Sequence, residues 1–276
     1  MKIAVLSGKG GTGKTTVSTN IATVMNWNYV DCDVEEPNGF IFLKPEIKET
    51  EEVKIPVPKI DEDKCIRCNE CARVCQFNAL AGTKTGVIFF EKLCHGCGAC
   101  SIVCPAGAIT EVERSIGKID IGNTKSIKCM SGLLDIGEPM APPIIKKLKG
   151  LVDEAPTIID CSPGSSCSVV AAIEGVDVAV LVTEATPFGL HDLKIAVELV
   201  RQMGIPFGII INRADEEHDL ITGYCEDENI ELIGKIPYAK RAAILYSEGK
   251  LLVEDEEYKK MFKEIGERIL GVKACS

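Results

Sequence analysis

The segment Ser7–Thr16 reads S-G-K-G-G-T-G-K-T-T and follows the apolar run Ile3–Leu6. Within it, Gly8–Thr15 has the spacing G-x-x-x-x-G-K-T. A strand that enters a glycine-rich loop and leaves it as a helix makes a cradle for phosphate. At Gly8, Gly10, Gly11 and Gly13 no Cβ keeps the backbone N–H groups from turning inward. The helix start adds its positive dipole end and its unpaired N–H groups. Lys14 is expected to reach the β- and γ-phosphates, and the Thr15 hydroxyl to ligate Mg²⁺. Lys9, Thr12 and Thr16 complete the candidate ATP site. Val17, Ile21 and Val24 recur at helical spacing directly behind the loop. A glycine-rich turn that binds nothing would not need the Lys-Thr pair between these flanking patterns.

The chain has 276 residues, enough for one large α/β domain or two domains, and 46% of them are apolar. No apolar stretch approaches the length of a membrane span. The first apolar run leads into the loop and does not read as a signal peptide, so a cytoplasmic address is expected. A net charge of −10 argues against nucleic acid and anionic membranes as partners. Eight of the 14 cysteines lie between Cys65 and Cys104. In a reducing compartment such clustering points to metal, not disulfides.

Residues 28–33, N-Y-V-D-C-D, read as a second strand with Asp31 and Asp33 at its carboxyl end, the ligand side of an open α/β sheet. Beyond Asp33 the chain reads as irregular, with Pro56–Pro58 as a stiff connector into a cysteine-dense segment. Residues 1–58 and 116–276 are expected to form one domain, and residues 59–115 an insertion. A helix is expected over Pro142–Lys149, and strands over Thr157–Asp160, Val176–Thr183, Phe207–Asn212 and Glu231–Pro237. Leu193, Ala196, Val197 and Val200 keep helical spacing. Tyr258, Met261, Phe262, Ile265 and Ile269 form the stripe of a closing helix, read as core packing. Alternating strands and helices imply a mostly parallel sheet covered on both faces.

The insertion contains an internal repeat, C-I-R-C-N-E-C-A-R-V-C-Q at 65–76 and C-H-G-C-G-A-C-S-I-V-C-P at 94–105. Each half is C-x₂-C-x₂-C-x₃-C, similar to the bacterial two-cluster ferredoxins. In that pattern three closely spaced cysteines wrap one cluster, and the fourth, a turn into a helix, points to the other. Cys65, Cys68, Cys71 and Cys104 are therefore expected on one [4Fe–4S] cluster, and Cys75, Cys94, Cys97 and Cys100 on the second. Structural zinc, the competing metal, normally uses two spaced pairs. Gln76 replaces the proline expected after the fourth cysteine, which Pro105 supplies in the second half. His95, between two ligands, reads as a surface residue.

The loop's K-G-G-x-G-K-T, with Lys9 inside it, resembles the deviant Walker A motif of the MinD-superfamily P-loop ATPases, which include MinD, ParA, the nitrogenase iron protein and the Mrp-type carriers. The resemblance implies an ATP-dependent homodimer in which Lys9 reaches the partner's nucleotide. Asp31 and Asp33 resemble the first switch, with Asp33 activating water and Asp31 supporting the Mg²⁺ shell. D-C-S-P-G, Asp160–Gly164, resembles the second switch, which puts Asp160 near Mg²⁺ and Gly164 near the γ-phosphate. Asn212 resembles the adenine-reading residue, and Pro237 the loop against the base. Together with the I-G-E-P-M-A-P-P stretch at 136–143, these features resemble members of the superfamily that carry an inserted α+β ferredoxin domain.

What the resemblance implies is ATP hydrolysis that gates electron transfer from the clusters to a redox or cofactor-assembly partner. Cluster assembly or transfer is the alternative, although no C-x-x-C pair exists outside the insertion. A MinD-type spatial regulator would leave eight cluster ligands idle. Cys129, Cys161 and Cys167 lie where the nitrogenase iron protein bridges its subunits with a cluster, but small buried cysteines are the simpler reading. Cys32, Cys225 and Cys275 receive no role.

Overall fold

The computed structural model describes residues 1–214 and 220–272. Its first part runs β1 (Lys2–Leu6), α1 (Lys14–Met25), β2 (Asn28–Asp31), α2 (Gly39–Leu43) and β3 (Glu46–Ile60). The cysteine-rich segment holds α3 (Glu70–Val74), β4 (Leu80–Gly82), β5 (Val87–Phe89) and α4 (Ala99–Ile102). The chain then returns through β6 (Ile109–Thr124), β7 (Ile127–Leu134), α5 (Pro142–Gly150), β8 (Thr157–Asp160) and α6 (Cys167–Ile173). It ends with β9 (Val178–Glu184), α7 (Pro187–Gln202), β10 (Phe207–Ala214), α8 (Leu220–Asp227), β11 (Glu231–Pro237), α9 (Lys240–Ser247) and α10 (Glu256–Ile269).

Nine strands form one sheet in the order β11-β10-β9-β1-β8-β2-β7-β6-β3. From β11 to β7 neighbours pair parallel, while β6 pairs antiparallel with both β7 and β3. β1 lies between β8 and β9, so strand order reverses around it, and the loop after β1 opens at the crevice where α/β sheets bind ligands.

Alternation along β1 builds two cores. Ile3 and Val5 face Val17 and Ile21 of α1 and Phe262, Ile265 and Ile269 of α10. Ala4 and Leu6 face the opposite layer, with Ile144, Ile145 and Leu148 of α5 and Leu193, Ala196, Val197 and Val200 of α7. The expected stripe of the closing helix is thus core: Phe262 and Ile269 are fully buried. No helix among the described residues is long and apolar enough to cross a membrane.

Two expectations need correction. The chain after Asp33 is not irregular: it forms α2 and then a 15-residue strand, β3. Pro56 and Pro58 are no free connector either, because they pair within β3 opposite Glu113 and Glu111 of β6. β3 is the sheet edge, the one place where proline's missing N–H does not break a ladder. The segment limits at 58/59 and 115/116 accordingly fall inside β3 and β6.

The register has a further consequence. β7 pairs with β6 only over Gly117–Thr124. Residues 109–116 of β6, with Val53–Ile60 of β3, therefore project past Leu134, the carboxyl end of β7. That is also the end where β1, β2 and β8 finish. The cysteine-rich head thus stands at the sheet end that carries the loop of residues 7–13.

Phe262→Ala should destabilise the protein by about 3–5 kcal/mol, read as a lower denaturant midpoint. A midpoint equal to the parent's would contradict the placement of α10 in the core.

Candidate functional site

The loop after β1 is held by close approaches. A Cβ on Gly8 would lie 2.1 Å from the Asp192 carbonyl oxygen of α7. Gly13 has φ +91°, and a Cβ there would lie 2.2 Å from the Asn212 amide nitrogen. That amide donates to the Thr12 carbonyl at 2.8 Å, while Asn212 Oδ1 accepts from the Arg213 N–H at 3.0 Å. Asn212 therefore splints the loop in this state, a role its sequence context did not suggest. Pro237 ends the adjacent strand, paired with Ala214. Gly164 is left-handed at φ +88°, and its N–H donates to the Ser7 carbonyl at 2.9 Å, so the turn after β8 is tied to the loop. The Thr12 hydroxyl is buried with no hydrogen-bond partner.

β2 and β8 place Asp31 directly opposite Asp160. Both are almost wholly buried, as is Lys14. Three protein donors reach Asp31: the Gly39 N–H at 2.9 Å, the Asp33 N–H at 3.2 Å and, at 3.3 Å, the Tyr29 hydroxyl, whose single proton is shared with Asp160. Burial and the neighbouring Asp160 raise the Asp31 carboxyl well above the ordinary range. Asp160 Oδ2 accepts from the Tyr29 hydroxyl at 3.0 Å, whereas its Oδ1 is buried without a hydrogen-bond partner. Burial pushes Asp160 up to about 6, against the lowering influence of Lys14, the Thr15 hydroxyl and Tyr29. Burial also raises Asp33, which Ser162 and Lys14 oppose. Asp160, with an oxygen left over beside Lys14 and Thr15, is a single carboxylate of the kind that a phosphate-bound Mg²⁺ takes as a ligand.

Tyr29 was missed at the sequence level. Its spacing of two from Asp31 on a strand, hence the same sheet face, was the available signal. Lys9 also has an unforeseen contact: its ammonium lies 3.8 Å from Glu184 at the end of β9, which Arg213 also engages at 2.7 Å.

In the head, the eight repeat thiols divide into two groups. One shallow hollow, open to solvent, is lined by Cys65, Cys68, Cys71 and Cys104 with Ile60, Val87 and Ile109. A second is lined by Cys75, Cys94, Cys97 and Cys100 with Pro56, Phe77, Leu80 and Phe89. Burial pushes the Cys71, Cys94 and Cys100 thiols up, reinforced by Cys65 and Cys104 at Cys71 and by Cys97 and Cys75 at Cys94. Among the described residues, no three His, Cys, Asp or Glu side chains stand close enough to share one metal ion. The thiols surround volumes instead of converging on a point.

The halves also match in backbone. Arg67 and Gly96, Asn69 and Gly98, and Asn78 and Gly107 occupy equivalent positions, and all six are left-handed. The Ala79 and Ala108 N–H groups each donate to the fourth thiol of their half, Cys75 and Cys104, at 3.3 Å. His95 stacks on Phe77 at 3.7 Å between centroids, over the second hollow. Elsewhere Cys32, Cys129, Cys161 and Cys225 are buried and Cys167 is exposed. Cys275 lies outside the described residues.

Because the folded Asp160 carboxyl is raised, the buried charge costs stability that sets in as pH rises through its range and is complete above it. Without nucleotide and with chelator present, Asp160→Asn should melt above the parent at about pH 8, and this gain should shrink at about pH 5. Melting below the parent at both pH values would contradict the uncompensated charge.

Comparison with known proteins bears on the family and the fold. A protein of Methanocaldococcus jannaschii, "Uncharacterized protein MJ0579", is 35% identical over 98% of both chains. The "Iron-sulfur cluster carrier protein" of Pyrococcus horikoshii is 24% identical over 98% of this chain and 85% of its own. The fold is similar to that of the septum site-determining protein MinD of Pyrococcus horikoshii, solved with Mg-ADP, at TM-score 0.59 and 19% identity over 97% of this chain and 95% of that one. The model of the CobQ/CobB/MinD/ParA nucleotide binding domain matches residues 3–253, and the chain belongs to that family.

Proposed function

We propose that the protein is an ATP-hydrolysing iron–sulfur protein that dimerises on ATP and gates electron transfer from two [4Fe–4S] clusters to a redox or cofactor-assembly partner. The observation that carries this reading is the division of eight thiols, four and four, around two hollows at the sheet end that holds Lys14, Thr15 and Asp160. An all-thiol donor set around a volume suits a cuboidal cluster better than a single ion. The paired N–H donors on Cys75 and Cys104 and the left-handed turns add the backbone dipoles such clusters take.

In this reading the loop N–H groups and Lys14 hold the triphosphate. Thr15 and the unsatisfied Asp160 oxygen hold Mg²⁺, which neutralises phosphate charge. Asp31, already bound by three protein donors, shapes the first switch and leaves Asp33 free to orient water. Gly164 is released from Ser7 when a γ-phosphate claims its N–H. Asn212 and Pro237 flank the base. Lys9 leaves Glu184 to reach the partner subunit's nucleotide. The clusters, when bound by these thiols, would supply one-electron redox chemistry. The hollow around Cys94 adjoins the main core, and the hollow around Cys65 lies at the far tip of β3 and β6. Ile66 and Cys68 are exposed at that tip, which is where a redox partner would approach the bound cluster.

Cluster transfer is the second reading, favoured by the similarity to the iron–sulfur carrier over 98% of this chain. The two readings separate on lability. Anaerobically purified protein should hold about eight iron atoms that survive ATP turnover. Iron that passes to an apo-protein during turnover would favour the carrier, and protein without iron and sulfide would end both. Lys14→Ala should abolish ATP hydrolysis with iron unchanged, while Cys68→Ala should lose iron and keep ATP binding.

A further inference from the structure

A buried charge pair joins the head to the body of the sheet. Arg114 lies on the projecting part of β6, and its Nη1 donates to Glu138 Oε1 at 2.7 Å. The Arg114 side chain is 10% exposed and that of Glu138 only 2%. Lys92 also pairs with Glu138, and Arg114 Nε lies 3.6 Å from Glu91. Glu91 and Lys92 form the turn that delivers Cys94, whose N–H donates to the Glu91 carbonyl at 3.1 Å. From Glu138 the contacts thus pass through Arg114 to the backbone of a cluster thiol.

Glu138 belongs to the turn after β7. That turn is fastened at its start to the first switch, because the Leu134 N–H donates to the carbonyl of Val34, next to Asp33, at 2.8 Å. The Asp135 N–H in turn donates to the Ile116 carbonyl of β6 at 3.0 Å. The ionic partner of Arg114 is therefore anchored to the nucleotide side of the molecule.

The arginine's hydrogen bonding is incomplete. Nε and Nη2 are buried with no hydrogen-bond partner. A guanidinium so placed is costly unless further negative charge faces it. Arg114 and Cys94 favour each other's charged forms, though at Cys94 burial is the larger influence. The Glu138 carboxyl is held below the usual range, first by its hydrogen bond to Arg114, and is ionised at neutral pH.

We propose that the Arg114–Glu138 pair sets the reduction potential of the cluster held by Cys75, Cys94, Cys97 and Cys100, and leaves the other cluster's potential unchanged. This rests on the two-cluster reading above. Reduction adds one negative charge to a cluster, so a nearby buried cation favours the reduced state and raises the potential. Glu138 offsets part of that field. The two substitutions have opposite signs although each breaks the same bond, which separates electrostatic control from simple structural support.

The test is an anaerobic redox titration of the purified holoprotein, followed by EPR, on the parent and on Arg114→Gln, Arg114→Lys and Glu138→Gln. Arg114→Gln should lower one of the two potentials. Glu138→Gln should raise the same one, and Arg114→Lys should stay near the parent. The affected cluster should be the one whose signal Cys97→Ser alters. Potentials unmoved by both Gln variants, or moved in the same direction by both, overturn the proposal. So does a shift in the cluster that Cys97→Ser spares. Should Arg114→Gln fail to hold iron, Glu138→Gln and Arg114→Lys still decide. About eight iron atoms in the parent keep the two-cluster reading intact whatever the potentials do, and their absence removes that reading instead.

Discussion

The projection of β3 and β6 past the carboxyl end of β7 is the constraint on which the arrangement depends. An antiparallel pair this long cannot be absorbed by the parallel part of the sheet, because β7 offers partners only to Gly117–Thr124. The remaining length must stand beyond the sheet and carry whatever lies between Ile60 and Ile109 with it. Since β6 runs against β7, the free end falls where the parallel strands finish, the side on which such sheets bind ligands. The thiol-rich head and the phosphate loop stand at the same end of the sheet because of strand direction and register, with β8, β2 and β7 between β1 and β6.

Around the loop, electrostatics and close packing work together. Asp31 and Asp160 face each other under burial that disfavours both charges. Tyr29 bridges them, and Lys14 is the nearby cation. An unsatisfied carboxylate oxygen is the kind of strain that functional sites retain and a cation relieves. Gly164 is held by Ser7 and Lys9 by Glu184, each on a group of its own chain.

Much of this was legible in the residues. Ser7–Thr16 gave the loop, short apolar runs gave β1, β2, β8, β9, β10 and β11, and helical spacing gave the closing helix, whereas β7, parallel to β2, was not read. The doubled cysteine spacing led to the expectation of two ligand sets, and the repeat thiols line two hollows, four to each. What escaped depended on pairing partners that local sequence does not name. Pro56 and Pro58 look like breakers until β3 is known to be an edge. Asn212 splints the loop from 200 residues away. Arg114 and Glu138 are 24 residues apart with no local pattern to join them, and only the fold brings them together.

The central claim is that nucleotide and clusters share one end of one sheet and sense each other. It is tested most directly by EPR of the reduced protein, with and without a saturating non-hydrolysable ATP analogue. The account predicts two magnetically interacting [4Fe–4S] signals whose line shape changes on nucleotide binding. A spectrum identical in both states, or one lacking such signals altogether, would contradict it.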